Sequence, residues 1–450
     1  MEMKLQCWCS LALFSAVVSA STTSTVVVFP AREGNFTAFI NPSLVVLTPG
    51  AATAGGSLLV FVEARLAQAG DGDPSRIGVK RSDDGGRTWG GTRALLPEGV
   101  DPGSTLGNLA AFVVPSPSGL ASSSSLSTPS PHERIQLVFC INNTIVCSIS
   151  SDDGGESWSP IVNITASAKE AGEGWVATGP ANAAVLRSGG RVLVPINTNV
   201  ARGSITIDYD LVPGSQGRNR ECPMESLLVG VRGEKPSPLP PLHYLGGGNV
   251  DPKSVTPGKR LPAIDACSTL TLANVFKLQQ RAFALISDDA GKSWRRSSAL
   301  PLLASETGMA DMGGGRVLAR SRLAEAGWQD GCHHFASSGD GGDTWEAVNT
   351  TQCLSDPGVQ AALLGLPGGD VLMASPIIEE RCGDHLRGNL TLYRSGDRGA
   401  TWAVAAVVHA DCSGYSSMVA MPSGSAVGVV WSTNGLPRGG PVLFRTIDLG

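Results

Sequence analysis

The sequence predicts an all-β propeller of six sheets, and three observations lead there. Fifty-six glycines and 29 prolines punctuate many short Val, Leu and Ile runs, the pattern of tight turns between short strands, and no long capped amphipathic helix interrupts it. An eight-residue pattern, S-x-D-x-G-x-[ST]-W, occurs five times, at Ser82 to Trp89, Ser151 to Trp158, Ser287 to Trp294, Ser338 to Trp345 and Ser395 to Trp402. Its starts are 69, 136, 51 and 57 residues apart, so the longest interval has room for a further unit whose pattern is lost, making six. Units of this length, each one four-stranded sheet, close radially into a propeller with short protected edges.

Each copy of the pattern reads as a strand-turn-strand clamp. The third-position Asp and the Ser/Thr hydroxyls can bond neighbouring backbone groups, Gly supplies a positive φ, and Trp covers the hairpin. A Ca²⁺ loop would need more residues and a bidentate Glu at its twelfth position, so no metal is expected.

The first twenty residues contain Lys4, then an apolar stretch from Leu11 to Val18 and the small residues Ser19 and Ala20. Residues 1–20 therefore read as a signal peptide and 21–450 as one domain of a secreted or secretory-lumen protein. Sequons at Asn35, Asn142, Asn163, Asn349 and Asn389, and eight cysteines beyond residue 20 without CxxC spacing, fit that route and point to disulfides. Cys140 and Cys147 flank an Asn-Asn turn and are candidates for a hairpin bridge. Segments 116–132 and 231–262, rich in Ser, Pro and Gly, read as surface loops. A net charge of −5 with 16% charged residues leaves no electrostatic footprint for nucleic acid, and no apolar stretch after the leader is long enough to span a bilayer. The six histidines form no HExxH, and no G-x-S-x-G elbow is present. Nothing in the sequence fixes an oligomeric state.

A propeller concentrates functional residues on the loops of one face, beside the ends of strands. Four segments stand out: Glu63-Ala64-Arg65 followed by Asp71-Gly72-Asp73; Glu306 with Arg320-Ser321-Arg322; Arg387, just ahead of the fifth repeat; and Ser413-Gly414-Tyr415-Ser416-Ser417-Met418. Together with the repeats, which are Asp boxes, these segments resemble the sialidase family from about Phe39 to the C-terminus. The resemblance implies a six-bladed propeller and a retaining exo-α-sialidase acting on sialylated glycans without a cofactor. It assigns Asp71, eleven residues before Ser82, as acid/base, with Asp73 as its near rival. Tyr415 is then the nucleophile and Glu306 its base. Arg322 and Arg387 grip the substrate carboxylate, with Arg320 as an alternative donor. Arg65 meets a sugar hydroxyl, Asn108 approaches the N-acetyl group, and Trp175 lines the pocket. A Tyr nucleophile has a physical reason: the anomeric carbon bears a carboxylate that repels an anionic Asp or Glu, whereas a neutral phenol approaches freely.

One family position departs. The aromatic-Arg-Ile-Pro motif reads Phe39-Ile40-Asn41-Pro42, so the first carboxylate-binding Arg is Ile40. Losing that contact would remove about 2 to 4 kcal/mol of binding. This motivates a second expectation, a weakened sialic-acid-binding propeller, unless Arg32 or Arg320 supplies the charge. Alternation also places the Asn389 sequon on the side of Arg387, in conflict with an open site.

Overall fold

The computed structural model describes residues 24–48, 56–67, 72–115, 133–170, 173–180, 182–200, 204–207, 220–223, 280–301, 304–323, 332–348, 350, 352–385, 387–433 and 439–450. Six antiparallel sheets form the propeller. After β1 (Val26–Phe29), blade 1 holds β2 (Ala38–Leu47), β3 (Ser57–Arg65), β4 (Ser75–Ser82) and β5 (Arg93–Leu95). Blade 2 holds β6 (Leu106–Pro115), β7 (Glu133–Ile141), β8 (Ile145–Ser151) and β9 (Val162–Asn163). Blade 3 is built from β10 (Glu173–Thr178), β11 (Ala184–Val185), β12 (Val192–Val200), β15 (Gln280–Ser287) and β16 (Arg295–Arg296), with a separate hairpin of β13 (Ser204–Ile207) and β14 (Arg220–Pro223) between β12 and β15. Blade 4 holds β17 (Ala304–Gly313), β18 (Arg316–Leu323), β19 (His334–Ser338) and β20 (Glu346–Val348), and blade 5 holds β21 (Ala362–Gly365), β22 (Val371–Ile378), β23 (Arg387–Ser395) and β24 (Ala403–Cys412). Blade 6 contains β25 (Ser416–Ala420), β26 (Ala426–Ser432) and β27 (Val442–Asp448), and β1 completes it by pairing antiparallel with β27.

This corrects the expected position of the blade without an Asp box. Among the described residues the 136-residue interval holds no extra blade: the second and third boxes follow β8 and β15 in consecutive blades, and the interval is lengthened between β12 and β15. Blade 6 lacks the box because its outer strand comes from the far end of the chain, so no hairpin joins its third and fourth strands.

Six hydrophobic clusters lie at the six junctions between neighbouring blades. Phe61, Leu106 and Phe139 pack between blades 1 and 2, for example, and Leu392, Met418 and Trp431 between blades 5 and 6. The inner strands are joined by Asn182. Its Oδ1 accepts from Ser43 Oγ, the Leu44 amide and Ser417 Oγ at 2.7 to 3.0 Å, while its Nδ2 donates to Met418 O at 2.9 Å. One amide thus links blades 1, 3 and 6.

The Asp boxes behave as the sequence predicts and also bind blade to blade. In the first, Ser82 Oγ bonds Asp84 Oδ1, and the amide and hydroxyl of Thr88 bond both Asp84 oxygens at 2.6 to 2.9 Å. Burial of Asp84 opposes its charge, but these bonds together outweigh it and hold the carboxyl at about 2. The fourth box position tolerates positive φ in Ala290 and Arg398. The fifth is Gly in every copy, because a Cβ there would fall 2.1 Å from Phe444 at Gly86, 2.8 Å from Leu59 at Gly155 and 2.9 Å from Leu193 and Leu318 at Gly342 and Gly399. Space against the preceding blade and a φ of +83° to +93° together require this glycine.

The cysteines are a second correction. Cys332 bonds Cys353 and Cys382 bonds Cys412, whereas Cys140 and Cys147 are free and buried. Cys140 pairs with Val146 and Cys147 with Phe139, so the two thiols sit at adjacent ladder positions and point to opposite faces of the sheet.

Candidate active site

All Asp boxes follow a third strand of their blade. The predicted site residues lie at the opposite face, at the starts of first and third strands and the ends of second strands. Glu306 lies near the start of β17, beside an irregularity between Ala304 and Thr307 that breaks the regular alternation. Arg322 lies at the end of β18, Arg387 opens β23, and Tyr415 immediately precedes β25. The Ser413 amide donates to Arg387 O and the Ser432 amide to Tyr415 O, which fixes the tyrosine segment against both β23 and β26.

These four side chains meet. Tyr415 Oη donates to Glu306 Oε1 at 2.7 Å, and Arg322 Nη1 donates to Glu306 Oε2 at 3.0 Å while lying 3.4 Å from Tyr415 Oη. The Arg387 guanidinium carbon is 5.6 Å from the Tyr415 ring centre, a cation–π distance. Arg322 keeps 32% of its side chain exposed against 16% for Glu306, so the arginine forms the open edge of the group. Burial raises the Tyr415 pKa and Glu306 raises it further; Arg322 and Arg387 pull it down without reversing the shift. The phenol therefore rests neutral. Burial works against the charge of Arg322, but Glu306 and then Tyr415 outweigh it and push its pKa upward, whereas burial wins at Arg387 and lowers its pKa.

Arg65 and Asn108 form a second group, around Glu63. Glu63 Oε1 accepts from Asn41 Nδ2 and the Asn108 amide, both at 2.7 Å, and Oε2 accepts from Arg65 Nη2 at 3.1 Å. Asn108 has φ +55°, and its Nδ2 donates to Asn143. Ile40 pairs with Glu63 across the ladder, and the next residue, Asn41, gives the carboxylate a neutral donor. Trp175 is partly buried on β10. Asp71 lies outside the described residues; Asp73 is described and partly buried, and its carbonyl accepts from Thr105.

Two alternatives fail on position. Arg320 is fully buried and committed to Asp356 at 2.7 Å, so it is no spare donor for a ligand. Arg32 is exposed and follows Phe29 of β1, and its neighbour Glu33 bonds Thr92 and Lys80 at the outer strands of blade 1, remote from the inner strands. The conflict at Asn389 also dissolves: Asn389 has φ +51° within a ladder irregularity between Gly388 and Leu390, so strict alternation with Arg387 does not apply. Sequence reading missed Asp356, His333 and Asn182. Asp356-Pro357-Gly358 was a legible turn signal, whereas the partners of His333 and Asn182 lie far away in sequence. Among the described residues, the one close grouping of potential metal ligands is Cys382, Asp411 and Cys412, and both of its cysteines are in a disulfide.

Residues 248–429 match the family of BNR repeat-like domains. A curated sialidase of Micromonospora viridifaciens is 28% identical over 149 residues, covering 32% of this chain and 23% of that protein, so the match spans under a quarter of the relative. Among solved structures, a Hadza microbial sialidase superposes with TM-score 0.62 at 17% identity, covering 94% of this chain and 68% of the other. Trypanosoma rangeli sialidase in complex with the inhibitor DANA gives 0.53 at 16% identity, covering 95% and 60%. With its six blades, its repeats and these likenesses, the chain has the sialidase-type propeller fold and is similar to sialidases with BNR repeats.

Proposed function

We propose that the chain is a secreted, retaining exo-α-sialidase that removes terminal sialic acids from glycans. The observation that carries this reading is the Tyr415–Glu306–Arg322 group: a half-buried neutral phenol whose proton already points at a carboxylate 2.7 Å away. Glu306 takes the Tyr415 proton as the phenolic oxygen bonds to the anomeric carbon and the glycosidic C–O bond breaks, and Asp71 protonates the departing oxygen. Water, deprotonated by Asp71, then displaces the tyrosine, which recovers its proton from Glu306. Two inversions give net retention. Arg322 and Arg387 hold the carboxylate of the sugar, for which a planar guanidinium fork is suited. No cofactor takes part.

The test is hydrolysis of a fluorogenic N-acetylneuraminic acid glycoside, with NMR of the first-formed anomer. Turnover with retention, lost in Tyr415→Phe, supports the reading; inversion, or full activity in Tyr415→Phe, overturns it. A second reading, a sialic-acid-binding propeller without turnover, is favoured by one observation. No third guanidinium among Arg32, Arg320 and the residue at position 40 is placed to join Arg322 and Arg387. Measurable sugar binding with no turnover selects it. Entry into the secretory route, with residues 1–20 as leader, belongs to the proposal and is supported by the Cys332–Cys353 and Cys382–Cys412 bonds.

A further inference from the structure

Arg320 and Arg322 lie two apart on β18 and share a face, yet only Arg322 reaches the site group. Arg320 turns into a closed interior. Its Nη2 lies 2.7 Å from Asp356 Oδ1, its Nε donates to His333 Nδ1 at 2.9 Å, and its Nη1 donates to the Val359 carbonyl. All three ionisable side chains are at most 2% exposed. With Nδ1 accepting from a guanidinium, the His333 proton sits on Nε2; burial, and then Arg320, hold its pKa down at about 4, so the ring is a neutral acceptor.

The other side of this unit faces Arg387. Asp356 Oδ1 also accepts the Gly358 amide at 2.8 Å, which closes the Asp356-Pro357-Gly358 turn. The two carbonyls the turn presents are the anchors of Arg387: Gly358 O accepts from Nη2 at 2.5 Å, and Pro357 O lies 3.5 Å from Nε. The arms of the unit are tied as well, by the Cys332–Cys353 disulfide, the Cys332–Ser355 bridge and the His333 amide on Leu354 O at 2.8 Å. A fully buried ion pair is seldom a net source of stability, because apolar residues of equal volume do as well or better. Here it gives what apolar packing cannot, a fixed direction for two carbonyls.

We infer that Asp356, Arg320 and His333 form a positioning unit that sets the Arg387 guanidinium for its ligand through the Pro357 and Gly358 carbonyls. The inference rests on the sialidase reading for the identity of that ligand, but not for the positioning itself.

The test uses the whole chain and two variants. D356N leaves Arg320 buried without a counter-charge and is strongly destabilising. R320M/D356L removes both charges and keeps a cooperative unfolding transition. In the double variant KM for a fluorogenic sialoside and Kd for DANA rise about 10- to 100-fold, the range typical of residues that orient a binding group, while kcat moves less than about 3-fold, as expected when ground-state and transition-state binding are lost together. The Nε–Hε NMR signal of Arg387, identified by its loss in R387K, is sharp in the wild type and exchange-averaged in R320M/D356L. H333N, which keeps an acceptor toward Arg320, stays closer to wild type in KM than H333L. A folded double variant with wild-type KM, DANA affinity and Arg387 signal overturns the inference, as does a change in thermal stability alone. If the wild-type chain neither binds nor cleaves sialosides, the sialidase reading fails and the Arg387 signal still decides the positioning unit.

Discussion

The two faces of the propeller are built by opposite rules. On the Asp-box face five local copies of one turn do the same work, each satisfied within eight residues and each pressing a glycine on the preceding blade. On the other face every residue of the site occurs once, and its central contact spans a long stretch of chain: Tyr415 meets Glu306 across 109 positions. Repetition spreads the work of the first face over equivalent turns, and blade 6, closed by β1, does without one. Uniqueness makes the chemistry of the second face sensitive to single changes, while a contact such as Tyr415–Glu306 adds only about 1 kcal/mol or less to folding.

The sharpest break of this contrast is Tyr415→Phe. Turnover of a sialoside falls on the order of 10³-fold or more, while denaturant unfolding shifts by about 1 kcal/mol or less, the worth of one hydrogen bond. Gly342→Ala does the reverse. Its Cβ would sit 2.9 Å from Leu193 at φ +93°, so stability measured in urea drops by about 3 kcal/mol from overpacking and left-handed strain together, with KM and kcat of the folded fraction unchanged.

The pH dependence tests the site side. The folded-state pKa of His333 is depressed to about 4, by burial first and Arg320 second, with His334 adding to the effect and Asp356 opposing it. Above pH 6.5 the imidazole is neutral in both states and the shift has no effect on stability. As pH falls from 6.5 to 4 the unfolded chain gains a proton that the folded chain refuses, and folding loses on the order of 3 kcal/mol. Below that range the depressed Asp356 carboxyl adds its own loss. Chemical denaturation at pH 7 and pH 4.5 measures this slope, and H333N flattens it. The smallest effect belongs to Arg398→Gly in the fifth box: φ +64° suits glycine better, and relief of about 1 kcal/mol appears as a small rise in melting temperature without change in activity.

The same contrast explains what was legible in advance. Asp84 and its four counterparts act within one hairpin, so spacing alone exposes them and, through them, the blades. Glu306, Arg322, Arg387 and Tyr415 were found because each keeps a fixed register to a box or a short motif. The blade lacking a box was misplaced because β1 pairs with β27, a partner no local pattern announces. Cys140 and Cys147 misled because closeness in sequence ignores the face to which each side chain turns. Asp356 and His333 carry no motif; their role comes from Arg320, which looked like one of two equivalent arginines on a strand.

Closure of blade 6 by β1 also orders events in time. Val26 finds Phe444 only after 417 intervening residues have been made, so during synthesis the first strand waits while five blades assemble behind it. Until then the ring is an open arc with an unpaired edge at β27, and joining its ends is a late step between strands far apart in sequence. A circular permutant that cuts between blades 5 and 6 and links the present termini would turn this last encounter into a local hairpin-like one and should fold faster at equal final stability.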